Sequence, residues 1–193
     1  IAKEGEHKAV VLTAAASTLG QMVNRLFQPE GIQVINVVRR DAQVELLKEQ
    51  GATVVLNSSE ADFGQQLHDA CHQADAHLAF DAVAGEMTLQ LLDALPENSK
   101  VTLYSCLSYK APQAGPDHLI FEGKSVNGFW LGPWITEKNL VQIMLLWRRA
   151  QKLMGTELKS EIRAQYPLQD AQKAIQDYLG QMTGGKILLT PNH

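Results

Sequence analysis

The sequence predicts an α/β protein built on a doubly wound, mostly parallel sheet, followed by a C-terminal segment that departs from the sheet rhythm. Three observations predict it. Short apolar or β-branched runs alternate with stretches of helical periodicity from Ala9 to Ser105. The links between them are short and carry Gly, Asn or Pro. The first strand runs into a small-residue turn that opens a helix, the order expected of a parallel βαβ unit. At 193 residues the chain suits one domain, or one domain with an appendage.

Taken in order, Ile1 to Lys8 is polar and reads as the tail of an earlier helix followed by a loop. Strand one is Ala9–Thr13. Its helix runs from Ser17, a good N-cap, to Gln28, with Leu19, Met22, Val23 and Leu26 at helical spacing, and Pro29-Glu30-Gly31 closes it. Strand two, Gln33–Val38, is nearly all apolar, as a strand covered on both faces should be. Asp41 is expected to cap the next helix, which Gly51 stops. Strand three is Thr53–Leu56, followed by a polar helix from Ser59 to Gln73. Strand four is His77–Phe80, with a helix from Glu86 to Leu95, and strand five is Lys100–Ser105.

After Ser105 the rhythm changes. Leu107 to Pro116 reads as a loop and Ser125–Leu131 as a sixth, aromatic strand. A long amphipathic helix is expected from Glu137 to Met154, then a strand (Lys159–Tyr166), a helix (Leu168–Gln181), a Gly184-Gly185 turn and a last strand, Lys186–Thr190. The division expected is residues 1–155 for the sheet domain and 156–193 for the appendage.

The stretch from Ala9 to Gly20 carries the chemistry. Ala15, Ser17 and Gly20 occupy the three positions of G-x-G-x-x-G. The first position lets the chain turn sharply, the second lets backbone approach a pyrophosphate, and the third lets helix and strand pack closely. Pyrophosphate would meet free N–H groups and the positive end of the helix dipole. Only the third position is glycine, so a plain βα junction explains the stretch equally well. The end of strand two adds information. An acidic residue about 20 positions after the turn would hold the ribose diol of NAD; Arg39 and Arg40 stand there instead. Their guanidinium forks suit a 2′-phosphate, so NADP is the expected cofactor, although two exposed arginines beginning a loop would look the same and Asp41 lies close by.

Composition excludes several classes. Hydrophobic residues are 45% and charged residues 20% of the chain, ordinary for a soluble globular protein. A formal net charge of −4 argues against a nucleic-acid partner. No apolar run reaches membrane-spanning length, and no signal peptide is visible. Cys71 and Cys106 form no C-x-x-C pair, which points to a reducing, cytoplasmic setting. A chain that starts at Ile1 is expected to be a fragment or a processed product.

With these pieces in place, the chain resembles the cofactor-binding half of the medium-chain dehydrogenase/reductase superfamily, which includes quinone oxidoreductases and zinc-type alcohol dehydrogenases. AAASTLG resembles that family's A-A-x-G-x-x-G turn, with Ser17 replacing the middle glycine. VVRRDAQVELLKEQGATVVLNSS, FDAVAGE, VTLYSCLS and YPLQDAQKAIQDYLGQMTGGKILLTP resemble later family segments in the same order. Ser105 stands where many members have glycine.

The resemblance implies an N-terminal GroES-like domain, absent from this sequence, that supplies most of the substrate pocket and, in zinc-dependent members, the metal ligands. The segment 159–193 would pack on it. It also implies an NADP-dependent oxidoreductase that transfers hydride to a carbonyl, quinone or conjugated enone or enoyl substrate, and a homodimer through the edge strand Ser125–Leu131. Ser17, Thr18 and Leu19 would face the pyrophosphate, Arg39 and Arg40 the 2′-phosphate, and Asn57 the adenosine half. Val83, Tyr104 and Ser105 would line the crevice toward the nicotinamide, with Phe129 and Leu131 closing it. No catalytic residue is assigned. The side chains of Ser17 and Ser105 stand where backbone should approach the cofactor.

Other constellations carry less. His68, Cys71 and His72 share one helix face, but Asp62, Gln65, Gln66, Asp69 and Gln73 on the same helix make a solvated polar face the simpler reading, and no metal is expected. Tyr104 and Lys110 lack the Tyr-x-x-x-Lys spacing of short-chain reductases. Phe129, Trp130 and Trp134 fit core packing together with a covered strand edge. Three rival classes remain: a zinc-dependent alcohol dehydrogenase fragment, a non-catalytic nucleotide-binding or assembly module with a degenerate turn, and a Rossmann-like methyltransferase. The last would prefer an acidic residue where Arg39-Arg40 stand.

Overall fold

The structure, a computed structural model, describes residues 1–2, 5–180, 183 and 185–191. Six strands form one parallel sheet: β1 (Ala9–Thr13), β2 (Gln33–Val38), β3 (Val54–Asn57), β4 (Leu78–Asp81), β5 (Lys100–Leu103) and β6 (Ser125–Gly128). Their order is β3-β2-β1-β4-β5-β6. The order reverses between β1 and β4, the switch point at whose strand C-termini open α/β sheets bind ligands.

Alternation along β1 explains why the sheet is covered twice. Ala9 and Val11 face one cluster with Ile35, Val37, Phe63, Leu67, Leu91 and Val101. Val10 and Leu12 face the other, with Val34, Val38 and Leu47. Helices α3 (Phe63–Gln73) and α4 (Glu86–Ala94) cover the first face; α1 (Thr18–Phe27) and α2 (Asp41–Glu49) cover the second. A strand buried on both faces has no polar side to show, which is why β2 is almost uniformly apolar. Its exception, the fully buried Asn36, donates to the Val34 and Val54 carbonyls and accepts from Asn24 Nδ2 at 2.7 Å.

Several expected boundaries are corrected. The helix after β3 begins at Phe63 rather than Ser59, because Asn57 Oδ1 takes the Ser59 N–H and bends the chain into turns first. β5 ends at Leu103 and β6 at Gly128, since their ladder closes at the Leu103–Gly128 pair. Phe129 adds one further bond, from its N–H to the Leu103 carbonyl. Leu131 is therefore not on the sixth strand; it opens a short helix, α6 (Leu131–Thr136), which follows α5 (Pro116–Ile120). The single helix expected over Glu137–Met154 is α7 (Leu140–Leu153), separated from α6 by residues 137–139, the last of them Asn139. That residue starts a new helix through a capping box with Gln142: Asn139 Oδ1 accepts from Gln142 N–H, and Gln142 Oε1 from Asn139 N–H.

The C-terminal segment forms its own parallel pair, β7 (Ile162–Pro167) and β8 (Lys186–Thr190), with α8 (Ala171–Gly180) against it. Arg163 and Tyr166 both reach Asp177 on α8. Arg25 on α1 ties this segment to the main domain by donating to the Glu157 and Lys159 carbonyls. The expected end of the last helix at Gln181 and the Gly184 of the following turn lie outside the described residues, as do Lys3 and Glu4. No described helix is long and apolar enough to cross a membrane.

Candidate functional site

At the C-terminal end of β1 the chain turns through Ala14, whose φ of 50° is left-handed. The sequence places the sharp bend at Ala15, one residue late; Ala15 is instead fully buried and donates to the Val37 carbonyl. Gly20 has a definite reason to be glycine. A Cβ there would overlap the Ala15 carbonyl, so this position lets α1 lie against the strand.

Ser17 caps α1. Its side chain accepts from the Gly20 N–H at 3.1 Å, and its own N–H donates back to the Ala14 carbonyl at 2.9 Å. Two of the amides near the expected pyrophosphate are thus already engaged. Among the described residues nothing accepts from the N–H groups of Thr18 or Leu19. Those two amides, at the positive end of a ten-residue helix, form the free part of the turn.

Arg39 and Arg40 follow β2 directly and are exposed. Among the described residues neither guanidinium has a carboxylate partner. Asp41 does not cap α2 as expected. Arg40 is the N-cap, and the Asp41 carboxylate accepts from Asn57 Nδ2 at 2.7 Å. Asn57 ends β3 beside Val38, is 4% exposed, and also accepts the Ser59 N–H and hydroxyl.

The switch point is organised by a residue that the sequence reading passed over. Asp81, fully buried at the end of β4, accepts from the Thr13 hydroxyl (2.9 Å), the Thr88 hydroxyl (2.8 Å) and the N–H groups of Val83 (2.8 Å) and Ala84 (3.2 Å). Its signal was present: an acidic residue directly after an apolar strand run, followed by small residues, with hydroxyls at Thr13 and Thr88. Val83 lies in this loop. Tyr104, most of whose side chain is buried, sits 3.5 Å from the Thr13 carbonyl through its hydroxyl. Burial first, and the Asp81 charge second, push its phenol up to about 12, so it stays protonated at neutral pH. Ser105 is exposed at the mouth.

The turn, the Arg39-Arg40 pair, the Asp81 loop and Tyr104-Ser105 therefore share the C-terminal edge of the sheet. Phe129 lies one strand further out, 6.1 Å edge-on from Trp134, and Leu131 is exposed on α6. A hollow of about 250 Å³ between α1 and α2 lies at the opposite edge, near the starts of β2 and β3. In its wall Gln50 Nε2 donates to Gln21 Oε1. On α3, Cys71 faces the core while His68 and His72 stack outside at 4.1 Å. Among the described residues no group of three ligating side chains is placed to hold a metal ion.

The family model for zinc-binding dehydrogenases matches residues 18–145. The chain belongs to that family. It thereby falls in the medium-chain dehydrogenase/reductase superfamily, as the resemblance implied. It is 25% identical over 187 residues to the human mitochondrial enoyl-[acyl-carrier-protein] reductase, a match covering 94% of this chain and 50% of that protein. A solved structure of a candidate NADPH:quinone reductase from Mesorhizobium loti is 32% identical, with a TM-score of 0.89 over 98% of this chain and 55% of that one. The mitochondrial 2-enoyl thioester reductase heterodimer of Candida tropicalis shares the fold at 21% identity, with a TM-score of 0.73 over 95% of this chain and 54% of that one. The chain spans about half the length of the curated relatives it matches.

Proposed function

We propose that this chain is the dinucleotide-binding part of an NADP-dependent oxidoreductase that passes hydride to a quinone, enoyl or other carbonyl-conjugated small molecule. The observation carrying this reading is the pair of unsatisfied anion sites on one sheet edge. The Thr18 and Leu19 amides stand at the start of α1, and the Arg39 and Arg40 guanidiniums, without a carboxylate partner among the described residues, stand at the end of β2. The first set fits a pyrophosphate and the second a 2′-phosphate. The names of the relatives, enoyl reductases and NADPH:quinone reductases, support the substrate class.

NADPH, when bound, would supply the hydride. This chain's own residues bind and orient. Thr18 and Leu19 hold the pyrophosphate, and Arg39 and Arg40 select the phosphorylated ribose. Asp81 fixes the loop that walls the nicotinamide side, and Tyr104 keeps its proton and can donate it in a hydrogen bond. We read residues 1–155 as the nucleotide-binding unit and 156–193 as a return segment, a division supported by the separate β7–β8 sheet. A second copy is proposed to pair along β6, whose outer edge has no strand neighbour among the described residues. The cytoplasm is the proposed location, supported by two free cysteines.

Calorimetric titration with NADPH and NADH tests the cofactor assignment. The chain is expected to prefer NADPH by about tenfold, and Arg39→Ala/Arg40→Ala to lose that preference. Equal binding of both cofactors would overturn the NADP assignment. Binding of neither would favour the assembly-module reading.

A further inference from the structure

We propose that Asn57 is a specificity-determining residue, acting through Asp41 to keep the arginine pair available for a 2′-phosphate. The proposal rests on the reading of Arg39 and Arg40 given above. Asp41 is adjacent to Arg40 in the chain and opens α2. Left to itself, a carboxylate there would pair with a neighbouring guanidinium, repel an incoming phosphate and accept from a free ribose 2′-hydroxyl. All three effects favour NADH over NADPH. None of the described contacts joins Asp41 to either arginine. Its Oδ1 is held by Asn57 Nδ2 at 2.7 Å.

The direction of the Asn57 amide is fixed by its other side. A backbone N–H can only donate, and the Ser59 N–H lies 3.1 Å from Asn57 Oδ1, with the Ser59 hydroxyl at 2.8 Å. The oxygen must therefore face Ser59, which turns the NH₂ group onto Asp41. Asn57 is itself set by β-sheet register, paired with Val38 one residue before Arg39. The end of β3 thus holds in place the acidic group beside the β2 arginines. Asn57 is a positioning residue, not a direct ligand, in this account.

The test is a four-member set: the parent chain, Asn57→Ala, Asp41→Ala and the double variant, each titrated with NADPH and NADH. Asn57→Ala is expected to reduce the NADPH-over-NADH preference by about tenfold. The double variant is expected to regain it, because no carboxylate remains to be released. The double variant carries the same buried change, so its recovery also shows that Asn57→Ala folds. Retention of the parent preference in Asn57→Ala would overturn the proposal alone, as would a loss that Asp41→Ala does not repair. A parent chain with no NADPH preference would overturn the reading of the arginine pair, and the proposal with it.

Discussion

The Thr13 hydroxyl donates to Asp81 Oδ1 at 2.9 Å across a sequence separation of 68 residues, joining β1 to β4 where the strand order reverses. The same hydroxyl oxygen accepts from the Ala82 N–H at 2.8 Å. One threonine and one aspartate therefore hold both lips of the crevice. Buried carboxylates are costly unless hydrogen-bonded, and here four neutral donors converge on one. Asp81→Ala strands those donors in a dry interior. The expected loss is about 3 kcal/mol or more in urea unfolding, with Thr13→Val losing less. A loss within 0.5 kcal/mol, the range usual for surface changes, would show that the network does not carry the crevice.

The turn after β1 makes two opposite glycine predictions. Gly20→Ala drives a methyl into the Ala15 carbonyl and must displace α1. It should destabilise by about 2 kcal/mol and abolish dinucleotide binding. Ala14→Gly relieves a left-handed alanine and should leave the fold unharmed or stabilise it by about 1 kcal/mol. Thermal melts of the two variants beside the parent decide both.

The two thiols should differ sharply in reactivity. Burial pushes the Cys71 thiol up to about 12, and the residue is fully enclosed. Cys106 is exposed beyond β5. Thiolate is the reactive form, so a thiol reagent at neutral pH should label one cysteine of the native chain and both in denaturant. Peptide mapping should place the native label on Cys106.

The C-terminal sheet should weaken in acid. Folding holds the Asp177 carboxyl below its ordinary value, first because Tyr166 donates to it and then because Arg163 does. A group so favoured contributes stability above its ordinary pKa of 3.8 and loses it as pH falls through the lower folded value. The partner group has the opposite sign. Tyr166 is raised above its ordinary 10.0, so its contribution disappears at alkaline pH. Urea midpoints below about pH 4 should fall more steeply for the parent than for Asp177→Asn.

Much of this fold was legible because burial and period speak directly in the sequence. β1, β2 and β8 were readable to the residue, since each is an apolar or β-branched run closed by a small-residue turn, an arginine pair or a proline. The start of α7 was not: it lies at Leu140 rather than Glu137 because Asn139 caps through a side-chain exchange with Gln142. Gly20 and the arginine pair could be named from spacing. The Ser17 cap was readable from residue type and position; the roles of Asp41 and Asp81 were not, because each depends on which donor or acceptor the fold brings to it. Asp41 looks like a helix cap in sequence, yet its carboxylate is taken by Asn57, 16 positions away.

We propose that a dinucleotide binds across the C-terminal edge of the sheet, from the β1–α1 turn to the arginines after β2. Amide chemical shifts of the isotope-labelled chain, followed by NMR during NADPH titration, test it most directly. The account predicts the largest changes at Thr18, Leu19, Arg39 and Arg40, with smaller ones at Val83 and Ser105. Changes confined to the hollow lined by Gln21, Asn24 and Gln50, with the turn and arginines silent, would contradict it.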